Sequence, residues 1–376
     1  MGLFGKSQKR SAALIDIGSA SVAGAYAHFE AGSPPTLYYT ARVPIETREG
    51  ENCDQSMQRS LEVLGHILIN HGAPVLRQAT GSAHIDSVIT TVAAPWQETS
   101  VHVESKQEEK SFVFTHQLLE DMVREAPKEK PGRTTSRHSV VATILNGYDV
   151  AQPFGKKAKR ADLVILSSTL EEKVSTSIER MLRKLFHTSD VTLTAFAPLS
   201  YAVLRDMYPH EKDFLIIDVE GEATDLAFVK RGLLTDVASI PQGTNALLAA
   251  VSRGHAAITE DSIGVIDTNR NAKFADMVGK LEEKWLCDIS DALKEFSARH
   301  ALPRTIFLLS DENTRGYLER LVNTKKLHSL WLSDEPLSVI SLSPKHIAKY
   351  VQTRGSAEGD IFLAMMALYY NRQGAV

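Results

Sequence analysis

One pattern occurs twice in this chain, and it constrains the fold more than any other feature. Ala12 to Ile17 is an apolar run that ends in Asp16-Ile17-Gly18-Ser19. An extended stretch follows from Val22 to Phe29, then a break at Gly32-Ser33-Pro34-Pro35, then a third extended stretch from Thr36 to Ile45. Much later Phe214 to Val219 runs into Asp218-Val219-Glu220-Gly221. Leu226 to Val229 continues, Lys230-Arg231-Gly232 turns the chain, and Leu233 to Ile240 returns. Short apolar runs punctuated by Gly and Pro read as meanders of strands. Two copies of strand, acidic turn, strand, tight turn, strand predict an internal duplication and two similar lobes facing one another.

The 376 residues leave room for two or three folding units. Hydrophobic residues make up 43% and charged residues 23%, the balance of a soluble globular protein. A formal net charge of only -4 argues against a general nucleic-acid binder, which carries a strongly basic domain. Cys53 and Cys287 lie far apart with no metal-ligand spacing, so neither a disulfide framework nor a zinc site is expected, and a reducing compartment fits. The longest apolar run, Ile361 to Tyr370, is far short of the roughly 20 residues that a bilayer span needs. The N-terminus, MGLFGKSQKR, has no secretory core. It does set Leu3 and Phe4 beside Lys6, Lys9 and Arg10, the composition of a weak membrane or partner anchor, although a solvated tail is the plainer reading.

Between the two copies the chain alternates. Gln58 to His71 has Leu61, Leu64, Ile67 and Leu68 on one helical face, and Asp86 to Ala93 is a β-branched strand. Thr115 caps a predicted helix through Glu125. Lys128 to Arg137 reads as a mobile polar loop, Ser139 to Leu145 as a strand ended by the Asn146-Gly147 turn, Ala161 to Ser167 as a strand and Leu170 to Phe186 as an amphipathic helix. Residues 100–188 therefore have the content of a small α+β module. In the last third, Asn245–Val251, Ala272–His300, Thr314–Val322 and Asp360–Tyr370 are predicted helices, with a strand at Arg304–Leu309. The alternation predicts an α/β sheet covered by helices.

Two acidic turns on facing lobes have the chemistry of a phosphate clamp. Small residues let backbone N–H groups approach phosphate oxygens, and Ser19 or Ser21 can donate a hydroxyl. Asp16 and Asp218 could hold a hydrated magnesium ion. Asp225 has two readings: it positions a water, or it satisfies turn amides at a strand start. His66 and His71 lack a third ligand and read as ordinary surface or core residues. Lys156, Lys157, Lys159 and Arg160 read as a solvated loop before a protein or lipid contact, and Trp285 reads as core.

Asp16-Ile17-Gly18-Ser19-Ala20-Ser21-Val22 is similar to the first phosphate motif of the actin-like ATPase superfamily. Asp218 to Asp225 aligns with the second, roughly D-x-G-G-G-T-T-D, and Ile240-Pro241-Gln242-Gly243 with its I-P-x-G-G segment. Thr305 to Gly316 stands where the adenosine motif belongs, and Pro198 to Ala202 matches the helix connecting the lobes. Asn146-Gly147-Tyr148 and Pro153-Phe154-Gly155-Lys156-Lys157 resemble a subdomain inserted in the FtsA branch, and the pilus protein PilM shares the fold with a related insertion. The resemblance implies an α/β, actin-like (ribonuclease-H-like), two-lobed fold with an inserted α+β subdomain: residues 1–99 and 189–208 in the first lobe, 100–188 inserted, 209–376 in the second lobe. It implies ATP and Mg2+ as cofactors. The nucleotide-binding candidates are Asp16, Gly18, Ser19, Ser21, Asp218, Gly221, Thr224, Gly243 and Ser310. Asp16 and Asp218 are the metal ligands, and Asp225 is the catalytic candidate.

The motifs also depart from that pattern. Glu220 and Glu222 replace glycines, Ala223 replaces a threonine, Asp311 and Glu312 stand at two further glycine positions, and Ala23 occupies a place where relatives often carry lysine. A carboxylate about 4 Å from a phosphate is repelled by roughly 4 kcal/mol per charge pair at an effective dielectric near 20. Added side-chain bulk also keeps backbone from closing on a ligand. The sequence alone leaves both an active ATPase and a degenerate site open. Proteins similar to FtsA are cytosolic adaptors that link assembly machinery to the inner face of the cell membrane and can polymerise. The expected partners are therefore filament, division or pilus assembly proteins, with no nucleic acid. FtsA ends in an amphipathic membrane helix, whereas this sequence ends at Gln373-Gly374-Ala375-Val376, so membrane attachment is expected through the N-terminus or a partner. A PilM-like pilus assembly protein or an active actin-like ATPase is the alternative reading, and a sugar-kinase-like enzyme would need a catalytic base beside a substrate cleft, which the sequence does not identify.

Overall fold

The computed structural model describes residues 9–125, 131–254, 272–331 and 335–373. The expected anchor residues Leu3, Phe4 and Lys6, the start of the polar loop at Lys128 and the last three residues lie outside them.

The first meander is present as read: β1 (Arg10–Ile17), β2 (Ser21–Phe29) and β3 (Thr36–Pro44) pair antiparallel in order. Next come α1 (Cys53–Ile67), a π-helical turn Leu68–Gly72 and α2 (Ala73–Thr80). This helix starts earlier than its apolar stripe suggested because Asn52 and Gln55 form a reciprocal capping box, each side chain accepting the other's backbone N–H at 2.9 and 3.0 Å. β4 (Ser87–Val92) then lies parallel to β1.

The inserted block contains β5 (Gln97–Val113), α3 (His116–Glu125), β6 (Arg133–Leu145), β7 (Tyr148–Asp149), β8 (Lys157–Glu171) and the following α4 (Glu172–Phe186). Its strands make a separate sheet in the order β5-β8-β6-β7. Thr115 caps α3 as expected, accepting the Leu118 N–H at 3.1 Å. Asn146 and Gly147 take φ of 50° and 87°, the positive values that a two-residue hairpin turn requires. Three readings need correction. Lys157, Lys159 and Arg160 open β8 and are not in a loop, because this stretch pairs with β5. Arg133 to Arg137 is strand, not loop, and Leu170-Glu171 ends β8 rather than opening a helix. Both segments pair with each other across the β6–β8 ladder, and that tertiary pairing outweighs local composition.

β9 (Val191–Ala195) returns beside β4, and α5 (Phe196–Met207) leads to the second meander: β10 (Phe214–Val219), β11 (Thr224–Lys230) and β12 (Leu233–Ile240). Then follow α6 (Thr244–Gly254), α7 (Ala272–Ser297), β13 (Thr305–Ser310), α8 (Glu312–Val322), α9 (Lys325–His328) and β14 (Ser338–Ser341). α10 (Pro344–Ile347), β15 (Gln352–Ser356) and α11 (Ile361–Gln373) complete the chain. The large sheets run β15-β3-β2-β1-β4-β9 and β12-β11-β10-β13-β14. Without β15 the two orders match strand for strand, so the duplication extends past the meanders to the parallel strands beyond.

Strand alternation assigns the faces. Ala13, Ile15 and Ile17 of β1 pack outward with Leu61, Leu64 and Leu68 of the first helical stretch. Leu215 and Ile217 of β10 pack outward with Ile289 and Leu293 of α7. The opposite faces, carrying Leu14 and Ile216, share one core with α5 and α11 between the sheets. Asp16 and Asp218 continue the inner rows, so the alternation that buries the two sheets also turns both aspartates toward the space between the lobes.

Candidate functional site

Both aspartates sit at the C-terminal end of a central strand. Asp16 pairs with Ala23 on one side and Thr91 on the other. Asp218 pairs with Asp225 and Leu309. Thr91 Oγ1 donates to Asp16 Oδ1 at 2.8 Å. Gln97, at the start of β5, donates from Nε2 to Asp225 Oδ2 at 2.8 Å.

Beyond these strand ends the two acidic turns interlock. The Ser19 N–H donates to Glu220 Oε2 at 3.1 Å, and the Glu222 N–H donates back to Ser19 Oγ at 2.9 Å. Asn245 Nδ2 reaches Ser19 O at 3.4 Å and Glu222 Oε1 at 2.7 Å. A side chain at Gly18 would overlap the Glu220 carboxylate, and a Cβ on Gly221 would lie 2.6 Å from Ala20 N, so these glycines permit the approach. At the start of α6 the Thr244 and Asn245 N–H groups donate to Glu220 O and Gly221 O at 2.9 and 2.8 Å. The amides that a helix N-terminus offers an anion are thus bonded to the turn itself.

A cation, Arg42, stands beside Asp16, Asp311 and Asp360. Arg42 on β3 grips Asp360 Oδ2 through Nε at 3.0 Å and Nη2 at 2.7 Å, and donates from Nη1 to Ser21 Oγ at 2.6 Å. Its guanidinium is also 3.5 Å from Asp311 and 3.9 Å from Asp16. Asp360 in turn accepts the Leu363 N–H at 3.1 Å, capping α11.

Crowded carboxyls hold their protons tightly here. Burial pushes Asp16 up to about 6 against the opposing pull of Arg42. Burial, then the charges of Asp16 and Asp311, push Glu220 up to about 8. Burial raises Asp225 to about 6, and burial with the nearby Glu220 raises Asp218 well above the carboxylate range. Burial disfavours the charge on Arg42, but Asp360, Asp311 and Asp16 outweigh it and keep the guanidinium protonated.

Above the turns lies a cleft of about 1200 Å³ between the lobes. Its lining includes Glu46, Glu222, Asp311, Glu312, Glu358 and Asp360 against Arg42 and Arg315. Six carboxylates facing two guanidiniums set a field that favours a cationic ligand over an anionic one.

No family model matches this chain, and no curated protein matches it in sequence. Among solved structures it is similar to a PilM–PilN type IV pilus biogenesis complex, with 14% identity, a TM-score of 0.61, and 97% of this chain and 98% of that chain covered. The chain has the actin-like ATPase fold. Weaker likenesses, from which nothing is drawn, are to the ethanolamine utilization protein EutJ from Carboxydothermus hydrogenoformans (11% identity, 96% and 90% covered, TM-score 0.45) and to a Bacteroides thetaiotaomicron protein described as having an actin-like ATPase fold and unknown function (10%, 98% and 99%, 0.40).

The actin-like fold implies Mg2+ and ATP between the two turns, and the residues as placed do not fit them. The Ser19 amide is taken by Glu220. The Ser21 hydroxyl is held by Arg42 and the Ser19 hydroxyl by the Glu222 N–H, so both are positioned by the protein itself. Thr224 faces away from the cleft, its Oγ1 donating to Gln242 O at 2.8 Å and accepting from Trp285 Nε1 at 2.9 Å. Gly243 packs on the Glu220 and Gly221 carbonyls. Arg42 lies among the carboxylates where a magnesium ion would sit, 3.9 Å from Asp16 and 3.5 Å from Asp311. Asp218 Oδ1 and Ser310 Oγ are buried with no hydrogen-bond partner among the described residues.

The structure brings together Asp16, Gly18, Ser19, Ser21, Asp218, Gly221 and Ser310. It separates the four unexpected carboxylates into two pairs. Glu220 and Asp311 turn inward, while Glu222 and Glu312 are exposed. Arg42, Asp360 and Gln97 were missed by sequence reasoning. Ala23 was the signal for Arg42: a small residue left room for a cation from the neighbouring strand. Trp285 is core, as expected, with the added bond to Thr224.

Proposed function

We propose that this protein is an assembly scaffold or adaptor of the FtsA and PilM kind, in which the actin-like fold serves as a rigid platform and not as a nucleotide-driven engine. The Ser19–Glu220 bond carries this reading, because it commits to the protein itself the backbone amide that an ATPase would offer to phosphate. The partners are protein components of an assembly, with self-association as one arrangement. The place of action is the cytosol, at the inner face of the cell membrane, reached through a partner or the N-terminal segment. Among the described residues no helix is long and apolar enough to cross a membrane.

The likeness to PilM supports a pilus assembly role at least as well as a division role, and the presence of PilM in a complex with PilN supports a protein partner. A deletion strain, complemented in trans, tests this. Lost pilus-dependent surface movement at normal cell length favours the pilus reading, and filamentous cells favour the division reading. Calorimetry with Mg-ATP on the purified chain tests the platform reading: micromolar binding would sink it.

A further inference from the structure

In an actin-like ATPase the two turns would meet through a shared phosphate, yet here they meet directly. We infer that the cleft carries its own substitute for the metal–phosphate pair. The Glu220 carboxylate takes the anion's seat on the first turn, the Arg42 guanidinium takes the cation's seat, and the lobes are latched without nucleotide. This rests on the platform reading above and goes further by naming what closes the cleft.

Three sets of contacts support it. Glu220 belongs to the second lobe and its acceptor bond to the first, while Glu222 N–H returns a bond to Ser19, so the latch is reciprocal. Arg42 belongs to the first lobe and faces Asp311 of the second at 3.5 Å, with Asp16 and Asp360 beside it. The Gln97–Asp225 bond joins the start of β5 to the second lobe. The carboxyl of Glu220 fills the place on the Ser19 amide, and the guanidinium of Arg42 fills the place among Asp16, Asp311 and Asp360. Two features make room for them: Gly18 has no side chain to meet Glu220, and Ala23 leaves the row between Arg42 and Asp16 open. Closure is then a constant property of the fold, which suits a part of a standing assembly.

The test uses the full chain with spin labels at Val63→Cys on α1 and Glu295→Cys on α7, in a Cys53→Ser, Cys287→Ser background. Pulsed dipolar spectroscopy reads the distance between lobes. The parent is expected to give one narrow distribution that magnesium pyrophosphate leaves unchanged. Glu220→Gly should widen it toward longer distances and bind magnesium pyrophosphate about tenfold tighter or more, since the side chain that occupies the Ser19 amide has left the seat. Ser19→Ala should also widen it by removing the return bond. Glu222→Gly, whose side chain reaches Asn245 and not Ser19, should keep it narrow. Unchanged distributions in both Glu220→Gly and Ser19→Ala would overturn the latch alone. Micromolar Mg-ATP binding by the parent would instead remove the platform reading on which it rests.

Discussion

Arg42 lies directly across the β2–β3 ladder from Ala23, and Ala23 lies directly across the β1–β2 ladder from Asp16. Paired residues share a face, so the three form one row, and the arginine reaches over the alanine toward the aspartate. A positive charge expected at position 23 is thus supplied from the adjacent strand. Arg42→Ala leaves Asp16, Asp311 and Asp360 without their counter-charge. The expected cost is about 3 kcal/mol, measured by urea unfolding, because removing one partner of a buried pair strands the other. A loss within error of zero would show that the carboxyls are already neutral when Arg42 is removed.

The raised carboxyls give stability an unusual slope with pH. A group whose folded pKa is raised contributes fully below its unfolded value, about 4, and loses that contribution as pH rises through the folded value. Here the folded values are about 6 for Asp16 and Asp225 and about 8 for Glu220. The melting temperature is expected to fall steadily between pH 5 and pH 8 at constant ionic strength, roughly the window between those values. Glu220→Gln should flatten the upper part of the slope. A rising profile over that range would contradict the assignment.

Gly243→Ala is expected to destabilise by about 2 kcal/mol, since a Cβ there meets backbone carbonyls of Glu220 and Gly221, which cannot rotate aside. Denaturant midpoints check it. A neutral result would mean that the segment after β12 shifts freely away from the acidic turn.

Trp285→Phe removes the indole donor to Thr224 and keeps most of the buried volume. Thr224 retains its bond to Gln242, so the expected loss is about 1 kcal/mol by thermal unfolding. A much larger loss would assign the indole a greater share in shaping the second turn.

The sequence made the two acidic turns, their strands and the duplicated architecture legible because period-two alternation and turn residues are local signals. The α3 cap at Thr115 and the Asn146-Gly147 hairpin were legible for the same reason. Arg42, Gln97 and Asp360 were not, because they come from a third strand, the edge of the insertion and the cap of the last helix. Only strand register and helix packing bring them to Asp16 and Asp225. Nor could composition separate Glu220 from Glu222. They differ only in which way a tight turn points each side chain, and that direction decides whether a carboxylate fills the first turn or faces water.

The edge strand β15 pairs with β3 of the first sheet and the helix α11 packs on β1, β2 and β3, although both follow the second sheet in sequence. The second sheet, by contrast, is continuous from Phe214 to Ser341. During synthesis the half begun first is therefore finished after the second: its edge, its inner helix and the carboxylate that grips Arg42 follow the last strand of the second sheet. A polypeptide truncated before Asp360 would carry a completed second half and an unfinished first one.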